Sequence, residues 1–518
     1  MRNGRLRRLV GGLGLGYLHT TVVVVVGLWL TPFLLGHLGE KHYGLWLLAA
    51  QAVFYLGLLD VGIVALVPRD LAMAAGRAHG GEVGPLRAIT GRALHLACWQ
   101  AAFVAAAGAL LAVLLPAEWT PLRGPLAALT VAFTLVFPCR VFPAALQGLQ
   151  DLPRLGAIQI VGWTLGSVAT VVGIYAGLGL YSLAIAWAVN QVFVAAATWQ
   201  RLVRAFPGVI PSRLPRLSPR EIRLHFGRGG WLSLDQIAQV LLAGTDLVVI
   251  GHLLGPEAVV PYACTGRLVL LLARQPQMLM QMALPALSQL RTSSTRERLV
   301  EVSGAMSLVM LLGTGAVAVV VLAVNESFVG WWVGGARFGG TTLTALLLAS
   351  MVMRHVNLTL VYRLYCLGHD RRNAVTLVAD GLCGTATMLA LVPLLGAQGA
   401  ALGMLAGTCL VSIPSNLVAL GHEGGSSVRD LAAPLRPWLF RFVPLVVVVG
   451  ALSGSLRVQG VAGLALLTAG VLLTYAVVMM PVLWSPFLRD LFLPGIESML
   501  GAPGFMRWPL QVIRGVVR

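Results

Sequence analysis

Charged residues are scarce in this sequence of 518 residues. Asp, Glu, Lys and Arg make up 11% of it, whereas an ordinary soluble domain carries about 25%. Acidic residues are scarcer than basic ones, 19 against 37, and hydrophobic residues reach 58%. Apolar runs of about twenty residues recur along the chain, and each is long enough to cross a bilayer as a helix. The composition excludes an ordinary soluble fold and predicts an all-α polytopic membrane protein.

Motifs for built-in chemistry are absent. No GxxxxGK[ST], HExxH or GxSxG sequence occurs, so these ATPase, metalloprotease and esterase sites are excluded. The six cysteines form no CxxC pair and fall in apolar segments, which favours packing roles. The predicted loops are too short for a folded catalytic domain. We therefore expect no enzymatic activity, no cofactor and no metal, and we favour transport without ATP hydrolysis.

About fourteen transmembrane helices are predicted. Six spans precede a Pro- and Arg-rich segment, six follow it, and two close the series. The spans are predicted at 9–35, 42–66, 93–115, 125–148, 155–176, 181–203, 229–253, 257–287, 302–324, 341–367, 374–395, 398–420, 438–453 and 459–484. The predicted parts are an N-terminal six-helix bundle, a cytoplasmic Arg-rich linker, a C-terminal six-helix bundle, two additional helices and an interfacial tail, at 1–204, 205–228, 229–420, 421–484 and 485–518.

The basic residues predict the orientation in the membrane. With the N-terminus in the cytoplasm, 28 of the 37 Lys and Arg residues fall in cytoplasmic segments and four in outer loops. This asymmetry follows the positive-inside rule. It explains the net charge of +18 by topology and contact with anionic lipid, rather than by nucleic acid. We therefore expect both termini to be cytoplasmic and the Arg-rich linker to rest on lipid.

Two short similarities indicate an internal repeat. The segment Leu34–Gly44 (LLGHLGEKHYG) matches Val249–Ala263 (VIGHLLGPEAVVPYA), and Gln147–Arg154 (QGLQDLPR) matches Cys366–Asn373 (CLGHDRRN), both at offsets of about 215 to 220 residues. Because six spans separate equivalent landmarks, the two halves have the same orientation. The sequence thus predicts two parallel six-helix repeats around a central cavity, plus two extra C-terminal helices.

Arginines within the predicted spans are candidates for substrate binding. Arginine suits phosphate because its planar fork donates two parallel hydrogen bonds. Arg267, Arg274 and Gln281 follow one another at intervals of seven, so a helix places them on one drifting stripe. Arg363 also lies in a span, near its end. We expect the cavity to be lined by Arg267, Arg274, Gln281, Arg140, Arg354 and Arg69.

Four acidic residues in predicted spans have two interpretations. Asp60 interrupts the apolar stretch 55–72, and Asp380 lies in the eleventh span. Asp235 and Asp246 are eleven residues apart, so a helix aligns them on nearly one face. In the functional interpretation, these carboxylates couple transport to a proton or Na⁺ or accept bonds from sugar hydroxyls. In the structural interpretation, they form ion pairs with the membrane arginines.

The first seventy residues carry a longer pattern. It reads P-x-x-L-x-x-L-G-x-x-x-Y-G-x-W, then Y-L-x-L-x-D-x-G, then a downstream Arg. It falls on Pro32, Leu35, Leu38, Gly39, Tyr43, Gly44, Trp46, Tyr55, Leu56, Leu58, Asp60, Gly62 and Arg69. This pattern resembles the opening of the polysaccharide transporter family, the lipid-linked oligosaccharide flippases of the multidrug/oligosaccharidyl-lipid/polysaccharide exporter (MOP) superfamily.

The resemblance implies a function and partners. It implies that the chain flips a polyprenyl-pyrophosphate-linked oligosaccharide from the inner to the outer leaflet of the bacterial cytoplasmic membrane by alternating access, for surface or exopolysaccharide biosynthesis. The implied partners are membrane lipids, that glycan substrate, and polysaccharide polymerase and export machinery.

Two alternatives stay open at this point. One is a cation-coupled multidrug exporter of the same superfamily, which the membrane arginines disfavour because they repel cationic drugs. The other is an integral membrane polysaccharide polymerase or ligase, which the short outer loops disfavour.

Overall fold

The computed structural model is built from helices. Every regular element among the described residues is helical, which confirms the predicted all-α, many-span fold class. The structure describes residues 2–57, 60, 63–77, 82–215, 217–218, 236–242, 244–278, 280, 296–367, 370–424 and 435–483. The helices are α1 (Arg2–Gly57), α2 (Ile63–Arg77), α3 (Gly84–Val113), α4 (Arg123–Val136), α5 (Val141–Gly148), α6 (Leu152–Tyr175), α7 (Leu180–Ala205), α8 (Gln236–Leu242), α9 (Thr245–Leu253), α10 (Pro256–Thr265), α11 (Arg267–Met278), α12 (Arg296–Val333), α13 (Thr341–Leu367), α14 (Asp370–Leu395), α15 (Ala397–Gly407), α16 (Ile413–Gly424), α17 (Arg436–Leu452) and α18 (Gly460–Leu483).

The number of membrane spans is close to the predicted fourteen. Among the described residues, 11 helices are long and apolar enough to cross a bilayer, or 13 if α8 with α9 and α10 with α11 each form one span. The first predicted span, 9–35, and most of the second, 42–66, fall in α1, which is counted once. Gly39 breaks this helix between them, with φ of 74° and ψ of 168°. Side chains other than glycine rarely adopt this backbone conformation, so glycine permits the turn.

The second predicted span, 42–66, is described only in part. The structure describes α1 to Gly57 and α2 from Ile63, and Asp60 between them has a 3₁₀-helical conformation. A carboxylate within a lipid-facing helix is costly unless it reaches a partner or a cavity. The Asp60 carboxylate has such a partner in Arg140, which belongs to another segment of unit 1.

Close contacts divide the chain into two compact units, each made of segments that are separated in sequence. Unit 1 comprises Met1–Cys264, Trp332–Gly339 and Ala374–Gly407. Unit 2 comprises Thr265–Trp331, Gly340–Asn373 and Thr408–Arg518. The predicted parts 1–204, 205–228, 229–420, 421–484 and 485–518 stay a prediction.

The core of unit 1 lies among α2, α3, α5 and α7. Each of these helices contributes a completely buried side chain, in order Leu71, Val104, Val141 and Leu202. At Gly148, α5 passes so close to α2 that an added Cβ would lie 2.7 Å from a backbone oxygen of α2. Membrane helices associate through such close packing because lipid supplies no hydrophobic drive between them.

The described part of the predicted linker packs on α3. The Nε of Arg87 donates to the carbonyl of Gly208 at 2.7 Å. The Nδ1 of His95 lies 2.7 Å from the carbonyl oxygen of Pro215, a hydrogen bond in which the ring nitrogen donates. Val209 between these points is 2% exposed. The first part of the linker is therefore attached to α3 at two points.

Residues 332–339 pack on α1 within unit 1. The indole Nε1 of Trp332 donates to the carbonyl of Leu28 at 2.5 Å, and the Nε of Arg337 donates to Glu40 Oε1 at 2.9 Å. In the predicted topology, Glu40 and Arg337 both belong to outer loops. Residues 332–339 therefore cover part of the surface of α1, although about 300 residues separate the two segments in the sequence.

In unit 2, the two additional helices α17 and α18 pack on α12. The hydroxyl of Tyr475 on α18 donates to the carbonyl of Leu312 on α12 at 2.7 Å. The same oxygen accepts a hydrogen bond from Trp438 Nε1 on α17 at 3.4 Å. These bonds are made inside apolar surroundings, since Trp438 is 2% and Tyr475 6% exposed. The phenol therefore joins three helices.

Candidate functional site

A cavity opens inside unit 1, between side chains of α1, α4, α7 and α8. Its volume is about 460 Å³, within the range of small-ligand sites in proteins, roughly 300–1,000 Å³. Its wall combines aromatic rings, side-chain amides and one cation. The lining residues are Val53, Phe54, Gly57, Phe133, Val136, Phe137, Arg140, Trp187, Gln191, Gln236 and Gln239.

A short 3₁₀ helix positions the cation. The chain forms this 3₁₀ segment over Phe137–Arg140, between α4 and α5, with Pro138 near its start. A 3₁₀ helix has three residues per turn, so its first and fourth side chains lie one above the other. Arg140 consequently lies over Phe137, with its guanidinium carbon 5.4 Å from the ring centroid.

Arg140 also binds the end of α1. Its Nη1 donates to the carbonyl of Gly57, the last residue of that helix, at 3.1 Å. The last carbonyls of a helix have no partner within it and carry partial negative charge, so a cation is favourable there. The end of α1 is therefore fixed by a side chain from another part of unit 1.

Asp60 supplies the counter-charge. Its Oδ2 lies 3.8 Å from Arg140 Nη2, and Asp60 is 2% exposed while the Arg140 side chain is 31% exposed. Removing one partner of a buried pair is strongly destabilising because it leaves an uncompensated charge. Of the two interpretations of Asp60, this geometry favours the ion pair with a membrane arginine.

The aromatic wall of the cavity is a stack. Phe133 and Trp187 lie face to face, with centroids 5.4 Å apart and planes at 20°. The guanidinium carbon of Arg140 is 5.9 Å from the Phe133 centroid, which adds a second cation–π contact. The cavity thus has an electron-rich wall beside a cation that is already paired.

Three glutamines bring hydrogen-bonding groups to the same space. Gln191 follows Trp187 by four residues on α7, and Gln236 precedes Gln239 by three on α8, so each pair shares a helix face. The Oε1 of Gln236 is buried and has no hydrogen-bond partner among the described residues. An unmade bond at a buried acceptor costs about 1–3 kcal/mol, so a ligand that donates to it gains that amount.

Asp246, one of the predicted coupling residues, is held by local hydrogen bonds in unit 1. The hydroxyl of Tyr262 donates to its Oδ2 at 2.8 Å, and the backbone nitrogen of Leu247 donates to its Oδ1 at 2.9 Å. Asp246 lies in the first turn of α9, where the helix dipole favours a negative charge. The structure gives Asp246 a helix-start position with a phenol partner.

The two remaining predicted residues of unit 1 that the structure describes, Asp380 and Arg69, are not among the residues that line the cavity. Asp380 is 1% exposed on α14, and α15 passes so close that an added Cβ on Gly407 would lie 2.5 Å from Asp380 Oδ1. Arg69 is exposed on α2. Asp235 lies outside the described residues, so its alignment with Asp246 stays a prediction.

In unit 2, Arg267 and Arg274 lie on one helix, as their spacing predicts. Both belong to α11, so their Cα atoms are about 10.5 Å apart along its axis. Arg267 is half-buried and its Nε has no hydrogen-bond partner in the described part of the chain, whereas Arg274 is exposed. Gln281, the third member of the predicted stripe, lies outside the described residues.

Two further arginines lie on α13 of unit 2. Arg354 is half-buried. Arg363 lies about two and a half turns further along, with its Nη2 3.5 Å from Ser307 Oγ on α12. The Nε of Arg363 is buried and has no acceptor within the described ranges. Half-buried cations with unused donors are therefore present on two helices of unit 2.

The sequence analysis missed a histidine network beside Arg354. His355 is 1% exposed, with Nδ1 2.7 Å from Thr314 Oγ1 and Nε2 2.9 Å from Gln277 Nε2. Thr314 donates its own proton to the carbonyl of Met310 at 2.8 Å, so it accepts from His355 Nδ1–H. The Nε2 atom then accepts from the Gln277 amide, and the ring is neutral. The Arg–His pair within an apolar run is the signal that would have identified it.

Part of the chain matches a known protein family. Residues 98–334 match a family described as polysaccharide biosynthesis protein. No curated protein sequence matches the chain significantly.

Several solved structures are similar in fold. The structure of the lipid II flippase MurJ in its inward closed conformation is 12% identical, covers 92% of this chain and 99% of that chain, and gives a TM-score of 0.63. An inward-facing multidrug resistance MATE family transporter of the MOP superfamily is 14% identical, with coverages of 77% and 93% and a TM-score of 0.55. A MOP superfamily transporter from Pyrococcus furiosus Vc1 (DSM3638) is 16% identical, with coverages of 79% and 92% and a TM-score of 0.50.

Proposed function

We propose that the chain, a multi-pass membrane protein, flips a polyprenyl-pyrophosphate-linked oligosaccharide between leaflets by alternating access. The match of residues 98–334 to a polysaccharide biosynthesis family and the fold similarity to a lipid II flippase support this proposal. The direction is from the inner to the outer leaflet of the bacterial cytoplasmic membrane, for surface or exopolysaccharide biosynthesis. Both termini are cytoplasmic in this proposal. A polysaccharide polymerase and export machinery use the product.

One observation carries the proposal: cations with unused donors lie in apolar helices of unit 2. The Nε atoms of Arg267 and Arg363 are buried and have no hydrogen-bond partner among the described residues. A charge in such surroundings is costly, and polar groups at membrane depth usually mark a substrate pathway. A pyrophosphate offers several anionic oxygens, each a strong acceptor for these N–H groups.

The same arginines favour transport of an anion over export of a cationic drug. Two unit charges of equal sign 4 Å apart repel by about 4 kcal/mol at an effective dielectric constant of 20. A cationic drug beside Arg267 meets this repulsion, whereas a pyrophosphate gains a similar attraction. The charge sign of the described unit 2 arginines therefore supports the flippase over the multidrug exporter.

In this mechanism, the protein binds the head group and the lipid tail stays in the membrane. Arg267 and Arg363 replace part of the water that solvates the pyrophosphate, which lowers the cost of bringing it to membrane depth. The histidine network on α13 keeps a neutral polar group beside Arg354, so this region adds no negative charge that competes with the substrate.

A deletion strain tests the proposal. Loss of the gene should cause lipid-linked oligosaccharide to accumulate in extracted lipids and should abolish the surface polymer. The wild-type gene should reverse both effects, and Arg267→Ala should not, although the protein reaches the membrane. Arg441→Ala is the matched control, because Arg441 Nη1 donates to Pro437 on its own helix.

Two results would decide against the flippase. An unchanged lipid-linked pool with increased drug sensitivity would favour the multidrug exporter. Accumulated repeat units that reach the outer leaflet without being polymerised would favour the polymerase or ligase.

A further inference from the structure

The described wall of the unit 1 cavity is close to electrically neutral. Arg140 is the one charged residue among the lining residues that the structure describes, and the Asp60 carboxylate lies 3.8 Å from that guanidinium. Arg140 also donates to the carbonyl of Gly57 and lies over two aromatic rings. A cation with this many partners has little attraction left for a phosphate. The wall therefore suits a ligand without net charge.

The other lining groups match the surface of a sugar ring. One face of a pyranose carries C–H bonds with partial positive charge, and these suit the negative face of an aromatic ring. The Phe133–Trp187 stack supplies such faces in the cavity wall. The edge of the sugar carries hydroxyl groups, each of which donates one hydrogen bond and accepts others. Gln191, Gln236 and Gln239 carry amides that do both.

An unsatisfied hydrogen-bond acceptor also indicates a sugar ligand. The Oε1 of Gln236 is buried without a partner among the residues the structure describes, which is uncommon for a polar atom in a folded protein. A neutral ligand satisfies this oxygen only if it carries a donor. Sugar hydroxyls are uncharged donors, whereas lipid tails carry none and pyrophosphate oxygens are acceptors.

We propose that the unit 1 cavity lined by Arg140, Trp187, Gln191, Gln236 and Gln239 is a subsite for an uncharged sugar residue of the transported glycan. The proposal rests on the function proposed above and assigns the sugar and the pyrophosphate to different groups. The aromatic stack receives one face of the ring, the glutamines bind its hydroxyls, and the Arg140–Asp60 pair gives donors without net charge. The pyrophosphate is left to the arginines of unit 2.

Saturation-transfer NMR on the full chain in detergent tests the subsite. The probes are methyl α-D-glucopyranoside, methyl α-D-galactopyranoside and methyl α-D-mannopyranoside, with methyl α-D-glucuronide and inorganic pyrophosphate as charged probes. At least one neutral glycoside should show transfer to its ring protons. Trp187→Ala and Gln236→Leu should each weaken its binding about tenfold, since each removes an interaction of that order.

Matched variants separate the site from general effects. Trp199→Ala and Gln200→Leu remove the same side-chain types from exposed positions on α7, so glycoside binding should stay at the wild-type level. If Trp187→Ala does not reach the membrane, Trp187→Phe replaces it. That variant keeps a smaller aromatic face, so its glycoside affinity should fall below that of the wild type by less than about tenfold.

The outcomes distinguish this proposal from the proposed function. Absence of transfer to all three neutral glycosides would overturn the sugar subsite, even where the deletion strain accumulates lipid-linked glycan. Tighter binding of the glucuronide, or displacement of the neutral glycoside by pyrophosphate, would overturn it by making the cavity an anion site. Glycoside binding that depends on Trp187, without glycan accumulation in the deletion strain, would support the subsite and overturn the flippase.

Discussion

The guanidinium of Arg140 lies 3.8 Å from the carboxylate of Asp60 and bonds to the carbonyl of Gly57 at 3.1 Å. One side chain therefore neutralises a buried acid and completes the end of a helix. The cavity of unit 1 opens beside this pair and shares both Gly57 and Arg140. The charge arrangement that stabilises the end of α1 also determines which ligands the cavity accepts.

Asp60→Asn should lower stability by about 1–3 kcal/mol. A fully buried pair loses roughly 3–5 kcal/mol when one partner is removed, but Arg140 is 31% exposed and keeps part of its hydration. The double variant Asp60→Asn/Arg140→Gln should recover part of the loss because no unpaired charge remains. The apparent unfolding temperature in detergent measures both. Equal temperatures for wild type and Asp60→Asn would contradict the ion-pair role.

Arg267 should be more sensitive to substitution than Arg274. Arg267→Ala should impair transport strongly, and Arg267→Lys partly, because lysine keeps the charge but loses the two-pronged hydrogen bond. Arg274 is exposed, so Arg274→Ala should have a smaller effect. If both bind one pyrophosphate, the double variant should be less impaired than the sum of the single effects. Surface polysaccharide in a complemented deletion strain gives the measurement, with immunoblots for expression. Full complementation by Arg267→Ala would remove this residue from the mechanism.

Thr314→Val should destabilise unit 2 by about 1–3 kcal/mol. The change removes the acceptor of His355 Nδ1–H and leaves a buried donor unsatisfied. Thr314→Ser keeps the hydroxyl and should stay close to wild type. Thr474→Val is the control, because that hydroxyl bonds within its own helix at an exposed position. An unfolding temperature that falls as much for Thr474→Val as for Thr314→Val would show that the histidine network adds nothing.

The linker should be accessible from the cytoplasm at some positions and protected at others. Ser212 and Ser218 are exposed, whereas Val209 is 2% exposed. In a background without the six native cysteines, Ser212→Cys and Ser218→Cys should react with a membrane-impermeant thiol reagent in inverted vesicles but not in intact cells. Val209→Cys should react in neither. Efficient labelling of Ser212→Cys in intact cells would overturn the predicted topology.

Helix positions were the most predictable part of this protein. Apolar runs fix α6, α7 and α13 to within a few residues of the predicted spans, because a bilayer demands both length and hydrophobicity. The stretch around Asp60 was different. The same apolar composition continues past Gly57, and the pairing of Asp60 with Arg140 joins residues 80 positions apart, which no local pattern shows.

The cavity of unit 1 shows why the site was harder to predict than the fold. Charge draws attention to arginine and aspartate, so Arg140 and Asp60 were both predicted as functional residues. Trp187 and Gln191 lie on α7 and Gln236 lies on α8, and a single glutamine or tryptophan in an apolar span is also common as a packing residue. A binding role can be assigned to them only because they line the same cavity, and that arrangement is a property of the tertiary structure.

The bonds from Trp332 and Arg337 to α1 have a consequence for the order in which the protein is made. Their partners Leu28 and Glu40 are synthesised about 300 residues earlier, and unit 1 also requires 374–407. Chains leave the ribosome N-terminus first at about 5–20 residues per second, so α1 waits about 15–60 s for these partners. A truncated product ending near residue 264 would contain the whole cavity but lack the segments that complete its unit. Quality-control proteases should therefore recognise prematurely terminated chains through the uncovered surface on α1. This surface is exposed before the C-terminal helices would have been synthesised.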